Sequence, residues 1–335
     1  MKRRFLPFIV AALALTATGL AAAQGIKERS IKLALQNPKG HPLASGAERF
    51  AELVAAKSGG KLKVVVYPGG VLGSDASNVS AVQGGTLEIV VLNSGILASQ
   101  VKEFAVFDFP FLFASGQEAD AVVDGAFGKN MHAKLADKGL IGLAYWELGF
   151  RQMTNSRRPI NKVEDIAGLK LRVIPNAINV DWVKALDANP TPLAFPELFA
   201  ALEQKAVDGQ ENPLSVILAN KFAEVQKYLA ITNHQYNPQS MLFSKKLWDT
   251  LSADEKKVLQ DSALEAGKYQ RQLSREAAAS TLDALKKAGM QVSEFPPAEV
   301  AKLRERMKPV IAKHAAIVGE STVQELQAEL AKLRK

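Results

Sequence analysis

The sequence contains no cysteine. That excludes disulfides, a thiol nucleophile, thiolate zinc sites and iron–sulfur ligation. Histidine is almost as scarce. His41, His132, His234 and His314 are the full complement, and no two stand at metal-ligand spacing. Neither a G-x-G-x-x-G nor a Walker A motif is present, and G-x-S-x-G and H-E-x-x-H are absent too. Ser58-Gly59-Gly60-Lys61 satisfies S-x-x-K formally, but it lies at a helix-to-strand turn without the companion S-D-N and K-T-G motifs. Carboxylates are plentiful, yet spacing forces no pair of them together. The residues therefore call for no enzyme, no metal and no cofactor.

Long apolar runs are confined to one place. Lys2, Arg3 and Arg4 precede an apolar stretch from Phe5 to Leu20, and Ala21-Ala22-Ala23 then supplies an A-x-A site. This is the pattern of a secretory signal peptide over residues 1–23, cleaved before Gln24. A membrane span needs about 20 apolar residues, and nothing after Ala23 provides them. The expected protein is periplasmic. Its charge of +8 falls to +5 without the three leader cations. Arg157-Arg158, Lys245-Lys246, Lys256-Lys257 and Lys286-Lys287 are isolated pairs, which suits solubility or mild steering of anions. There is no basic–aromatic patch for nucleic acid. The 335 residues are enough for two domains with cores of their own, and no low-complexity linker separates them.

Along the chain, short apolar runs alternate with amphipathic segments, the signature of an α/β fold. Strands are expected at 31–35, 62–67, 87–92, 140–145, 150–154, 169–174, 190–192, 207–210, 229–232 and 241–243. Leu43, Ala47, Phe50 and Val54 mark one face of a helix that Gly59-Gly60 ends. Short helices are expected at 75–82, 177–186 and 196–204. Phe104, Phe107, Phe109, Phe111 and Phe113 read as core, Trp182 as helix packing, and Trp146 and Tyr236 as aromatics able to approach a cleft. From Ala253 to Lys287 there is no proline, and Ser252 with Glu255 forms a capping box. This segment is either one long helix or two broken near Gly267. Further helices are expected at 298–318 and from Ser321 onward.

Two arginines stand out. Arg172 alternates with Leu171 and Val173 in the middle of a strand, and Arg151 closes an apolar stretch after Gly149-Phe150. Open α/β sheets bind ligands at strand ends and crossovers. A guanidinium held there is costly unless it meets an anion, and its planar fork matches a carboxylate. An ordinary salt bridge would account for either residue as well, and composition does not decide.

The order of short motifs goes further. Gly168-Leu169-Lys170-Leu171-Arg172-Val173, Pro175-Asn176, Pro190-Thr191-Pro192, Phe195 and Ala206-Val207-Asp208-Gly209-Gln210-Glu211-Asn212-Pro213 together resemble the solute-binding proteins of TRAP transporters. Gly59-Gly60-Lys61, Tyr67-Pro68, Gly73, Phe109-Pro110-Phe111 and Lys221-Phe222 fall in the same order, so the resemblance runs from about Ile31 to Lys313. It implies a two-domain periplasmic binding protein-like α/β fold with crossing hinge strands and a long domain-spanning helix. The expected division is 24–148 plus about 238–275 for domain I, and 149–237 plus about 276–335 for domain II.

The resemblance also implies a ligand set. Arg172 would grip the ligand carboxylate, with Arg151 as a second arginine. Phe195 would pack on the ligand's apolar face and Asn212 would donate a hydrogen bond. Glu211 would touch the ligand or orient an arginine. Asn37, Lys39 and His41, in the first strand-to-helix loop, and Asn93 would form the domain I wall. In the sialic-acid-binding branch an acidic residue occurs where Asn93 stands, which argues against that ligand. The implied ligand is a sugar acid, hydroxy acid or C4-dicarboxylate, and an aromatic acid is the alternative. The implied partners are the ligand and the TRAP membrane subunits, with the receptor a monomer. A receptor for an ATP-driven importer is the rival reading, against which the two long motifs argue.

Overall fold

The computed structural model describes residues 25–334. The signal-peptide expectation falls on residues 1–23, outside the described residues. Eleven strands form two sheets among the described residues. The strands are β1 (Arg29–Leu35), β2 (Leu62–Tyr67), β3 (Ile89–Asn93), β4 (Leu140–Phe150), β5 (Gln152–Asn155), β6 (Lys170–Val173), β7 (Asn189–Pro192), β8 (Gly209–Asn212), β9 (Tyr228–Ile231), β10 (Tyr236–Ser244) and β11 (Gln291–Glu294). The first sheet has the order β2-β1-β3-β10-β4, the second β11-β9-β5-β8-β6-β7.

In the first sheet β2, β1 and β3 run parallel, and β10 is antiparallel to both β3 and β4. Helices cover both faces, so β3 is buried at every position. That is why it reads as an unbroken apolar run. Helix Pro42–Lys57 lies over this sheet and buries the expected Leu43, Ala47, Phe50 and Val54. Leu43, Phe50 and Val54 each contribute about 1.5–3 kcal/mol relative to exposure.

The two sheets are joined where strands cross. A single residue, Arg151, separates β4 from β5, and only Thr232–Gln235 separate β9 from β10. The Arg151 amide donates to the Gln235 carbonyl at 2.8 Å, tying the crossings together. Gly149 has φ +110°, a conformation that glycine adopts without strain. Opposite it, the β4–β10 register shifts between Asn237 and Pro238, a bulge that accommodates a proline in a central strand.

The third connection is helical. Helix Ala253–Glu276 starts at the expected capping box, with the Glu255 amide donating to Ser252 Oγ at 3.1 Å and the Ser252 amide to Glu255 Oε2 at 2.8 Å. It packs on helix 42–57 and on β4. Its 24 residues span about 36 Å. It ends at Ala277, and Ala278–Lys287 continues against helix Leu214–Ala219 of the second sheet's side. The break is thus ten residues beyond Gly267. Gly267 serves another purpose: a Cβ there would sit 2.9 Å from the Trp146 ring. Gly46, on the facing helix, leaves similar room. Trp146 fills this socket, 1% exposed, with Nε1 donating to the Ala263 carbonyl at 3.1 Å. It does not approach the cleft, and Tyr236 packs in the core between Phe113 and Phe150.

Phe104, Phe107, Phe109 and Phe113 are buried as expected, whereas Phe111 is half-buried, with Arg304 over its ring. Helices Gly116–Asp124 and Ala126–Ala133 and strand β11 were not expected. The first of these has a local signal after all, since the Glu118 amide donates to Ser115 Oγ at 3.1 Å in an S-x-x-E cap. Helix Pro297–Val318 packs against both the 102–108 turn and helix Ala177–Lys184. The last helix, Glu320–Leu333, lies on helices 116–124 and 126–133, beside the first sheet. No helix among the described residues is long and apolar enough to cross a membrane.

Candidate functional site

A cavity of about 190 Å³ lies between the two sheets, beside the Arg151 crossing. The ends of β1 and β3 bring Asn37 and Asn93 to it, and β6 and β8 bring Arg172 and Asn212. Phe195, at the start of a single turn after β7, completes the apolar side with Ile174 and Val216. This is the position at which open α/β sheets bind ligands, outside the ends of parallel strands.

Arg172 is 2% exposed. Its Nε donates to the Leu193 carbonyl at 2.9 Å, and its guanidinium carbon lies 5.8 Å from the Phe195 ring centre. Nη1 is buried and has no hydrogen-bond partner among the described residues. Burial, then the like charge of Arg151, bring the guanidinium down to about 10, against the opposing pull of Glu211, Asp75 and Glu197. No carboxylate forms an ion pair with it among the described residues. Leaving a buried cation without an anion costs several kcal/mol.

Arg151 is just as buried, at 0% exposed, but its needs are met. Nε and Nη2 both donate to the Glu211 carboxylate, Nη2 also reaches the Glu211 carbonyl, and Nη1 donates to Asn237 Oδ1 at 2.7 Å. His234 Nε2 lies 3.3 Å from the same carboxylate. Burial would push Glu211 up, but Arg151 and His234 outweigh it and hold the carboxyl at about 2. Glu211 therefore stands behind Arg151 and is not part of the cavity wall.

On the opposite wall, Asn93 accepts from the Gly95 amide at 3.1 Å and donates to Asp108 at 3.4 Å. Asp108, fully buried, is a hub for side-chain amides: Asn176, Asn179 and Asn237 donate to it at 2.9, 3.0 and 3.1 Å. These partners come from both sheets' sides, so the hub links the two halves beneath the cavity floor. Two expected wall residues are elsewhere. Lys39 is exposed and outside the lining. His41 caps helix 42–57 through Nδ1, which accepts from the Leu43 amide at 3.1 Å, while Nε2 lies 3.1 Å from Ser215 Oγ. Burial lowers its pKa to about 3, so the ring is neutral and serves as a strut between the halves.

Among the lining residues that sequence reasoning missed, three carry unmatched polar atoms. Asp75 opens helix Asp75–Gly84, and was read only as a helix start. Burial raises its carboxyl to about 7, against Gln36 and the charge of Arg172. Gln36 follows the last residue of β1 and precedes Asn37, and Gln239 lies mid-β10. Asp75 Oδ1, Gln36 Oε1 and Gln239 Nε2 are buried without hydrogen-bond partners among the described residues. With Arg172 Nη1, the residues that line the cavity thus carry two unmatched donors and two unmatched acceptors. Buried polar groups in folded proteins are normally paired, so their concentration here marks a binding site. No group of His, Asp or Glu among the described residues is arranged to hold a metal ion.

The chain matches the profile of the bacterial extracellular solute-binding proteins, family 7, over residues 33–317. It is 35% identical over 281 residues to the 2,3-diketo-L-gulonate-binding periplasmic protein YiaO of Escherichia coli, covering 83% of this chain and 86% of that one. Among solved structures, a TRAP periplasmic solute-binding protein from Ochrobactrum anthropi, with its C-terminus bound in the ligand pocket, is 55% identical with a TM-score of 0.82, covering 92% and 96% of the two chains. The sugar acid-binding protein of Advenella mimigardefordensis in complex with galactonate is 43% identical with a TM-score of 0.90, covering 92% and 99%. The chain belongs to this family, the periplasmic solute-binding proteins of TRAP transporters.

Proposed function

We propose that this protein captures a small organic carboxylate in the periplasm and presents it to TRAP membrane subunits. The observation that carries the reading is the buried Arg172, which lines the cavity and whose Nη1 has no hydrogen-bond partner among the described residues. A ligand carboxylate supplies the missing anion and restores the hydrogen bond. Asn212, Arg151, Asn93 and Asn37 surround the rest of the ligand, and Phe195 covers its carbon chain. Relatives named for sugar acids support the same chemistry.

The binding step is a domain closure. The halves are 24–148 with about 238–275 and 149–237 with about 276–335, and they rotate about the Arg151 and Thr232–Gln235 crossings, except that helix Glu320–Leu333, packed on helices 116–124 and 126–133, moves with the first half. A ligand that contacts both walls binds the closed form more tightly than the open form, and that difference drives closure. A micromolar complex corresponds to about −8.2 kcal/mol, and one hydrogen bond to a charged group supplies about 1.5–3 kcal/mol. Several contacts must therefore act together. The protein acts as a monomer, exported through residues 1–23, and binds its ligand without transforming it.

Calorimetry with a panel of small acids tests this. Arg172→Ala is expected to weaken binding by at least about tenfold. Arg172→Lys should bind poorly too, because an ammonium cannot reproduce the fork. Unchanged affinity in both variants would remove the central claim.

A further inference from the structure

The Pro175-Asn176 motif supplies no group to the proposed ligand set, yet its asparagine is used in an uncommon way. Asn176 is the N-cap of helix Ala177–Lys184. Asparagine favours that position because its side chain can accept from an amide of the first turn. Here the side chain makes no such bond. It reaches into the first half, where Nδ2 donates to the Gly95 carbonyl at 3.0 Å and to Asp108 Oδ2 at 2.9 Å. Both N–H groups of the amide are thereby used. The helix forgoes a local cap for a contact between the halves.

The acceptor is shaped to receive it. Asp108 takes Asn93 and Asn237 on Oδ1, and Asn176 and Asn179 on Oδ2. Gly95 makes the approach possible, since a Cβ there would overlap the Asp108 carboxylate. The four donors differ in place. Asn237 stands at the crossing, where its Oδ1 also accepts from Arg151, and Asn179 is 1% exposed. These two hold the carboxylate at the pivot. Asn176 is half-buried, and its neighbour Pro175 lines the cavity, as does Ile96 beside Gly95. Asn176 therefore forms the edge of the hub on the cavity side, where rotation about the crossings parts the halves.

We propose that Asn176 is a positioning residue for ligand retention: through Asp108 and the Gly95 carbonyl it latches the second half onto the first, and the cavity reopens only when this contact breaks. The inference rests on the domain closure described above and adds the group that holds the closed form. Asn176 is not part of the cavity lining, so it acts through the halves and not on the ligand. The same carboxylate positions Asn93, whose amide gives one N–H to Asp108 and keeps the other for the cavity. Ligand contact at Asn93 and closure at Asn176 thus converge on one side chain. A bound acid leaves after the halves part, so the latch governs release more than encounter.

Stopped-flow release and single-molecule energy transfer test this, with galactonate, erythronate, succinate and benzoate as probes. The chain has no cysteine. Ser80→Cys and Ala200→Cys, exposed on helix Asp75–Gly84 of the first half and helix Leu198–Glu203 of the second, therefore take the only dyes. Asn176→Ala should release a bound acid about tenfold faster, the scale of one hydrogen bond to a charged group. Association should stay within about twofold of wild type, and the closed fraction of the ligand-free chain should fall. Asn176→Ser separates a latch from a cap. Serine caps a helix about as well as asparagine but is too short to reach Asp108, so it should release as fast as Asn176→Ala. Asn176→Asp keeps shape and capping ability but sets a second carboxylate against Asp108, and should release fastest of all. Wild-type release in Asn176→Ala, or its recovery in Asn176→Ser, would overturn the latch and leave carboxylate capture standing. If the wild-type chain binds none of the four acids, the capture reading fails, and the ligand-free closed fraction decides the latch: a fraction unchanged in Asn176→Ala would overturn it.

Discussion

The hinge and the cavity wall each bury an arginine almost completely, and they treat it in opposite ways. At the hinge, Arg151 has a carboxylate, a carbonyl and an amide oxygen around it. In the wall, Arg172 has one backbone carbonyl and an orphaned Nη1. Both are desolvated, so burial does not separate structure from function. The separation lies in whether the protein itself answers the charge. The hinge closes its own electrostatics and so holds its geometry. The wall leaves its electrostatics open and so has something to offer a ligand.

This contrast can be broken most forcefully at Glu211. Removing one partner of a buried ion pair leaves the other uncompensated, which costs about 3–5 kcal/mol. Glu211→Ala should destabilise the chain by that amount in urea denaturation, whereas Arg172→Ala should leave ligand-free stability unchanged or raise it. Equal losses in the two variants would dissolve the distinction.

A smaller effect should appear in the pH dependence of ligand-free melting. Glu211 is held below its ordinary 4.5 at about 2, so the native state favours its charged form. Its contribution is present above pH 4.5 and is lost as pH falls toward 2. Asp75 is raised from 3.8 to about 7, so the native state favours its neutral form. That contribution is complete below pH 3.8 and is lost as pH rises through 7. Asp75→Asn should flatten the limb between pH 4 and 7, and Glu211→Gln the limb below pH 4.5. The smallest change is expected at Lys39, which is exposed and outside the lining. Lys39→Ala should leave both stability and ligand affinity within about 0.5 kcal/mol of wild type.

What the residues disclosed followed from how local the cause was. β3 was legible because burial on both faces demands an apolar run, and helix 253–276 because its capping box is a four-residue pattern. Gly267 misled for a long-range reason: the Trp146 ring that needs the space comes from a strand more than a hundred residues earlier. Helices 116–124 and 126–133 are short and present no long amphipathic period. In the cavity, Arg172 was conspicuous as a charge inside an apolar strand. Asp75 was inconspicuous, since an acidic residue at a helix start is commonplace and only the tertiary fold sets it opposite Arg172. Conversely, Lys39 and His41 lie within four residues of Asn37 in sequence, yet the chain turns them away from the lining.

The antiparallel β10 also bears on the order in which the molecule can be made. It lies between β3 and β4, so the first sheet remains in two pieces until residue 244 has been synthesised. Nearly three-quarters of the chain must emerge before the first half can close its core. Pairings of this range form slowly, because loop closure precedes the contacts that reward it. For a polypeptide exported as proposed, such late closure is an advantage: the nascent chain stays loose enough to be threaded through a membrane before it folds on the far side.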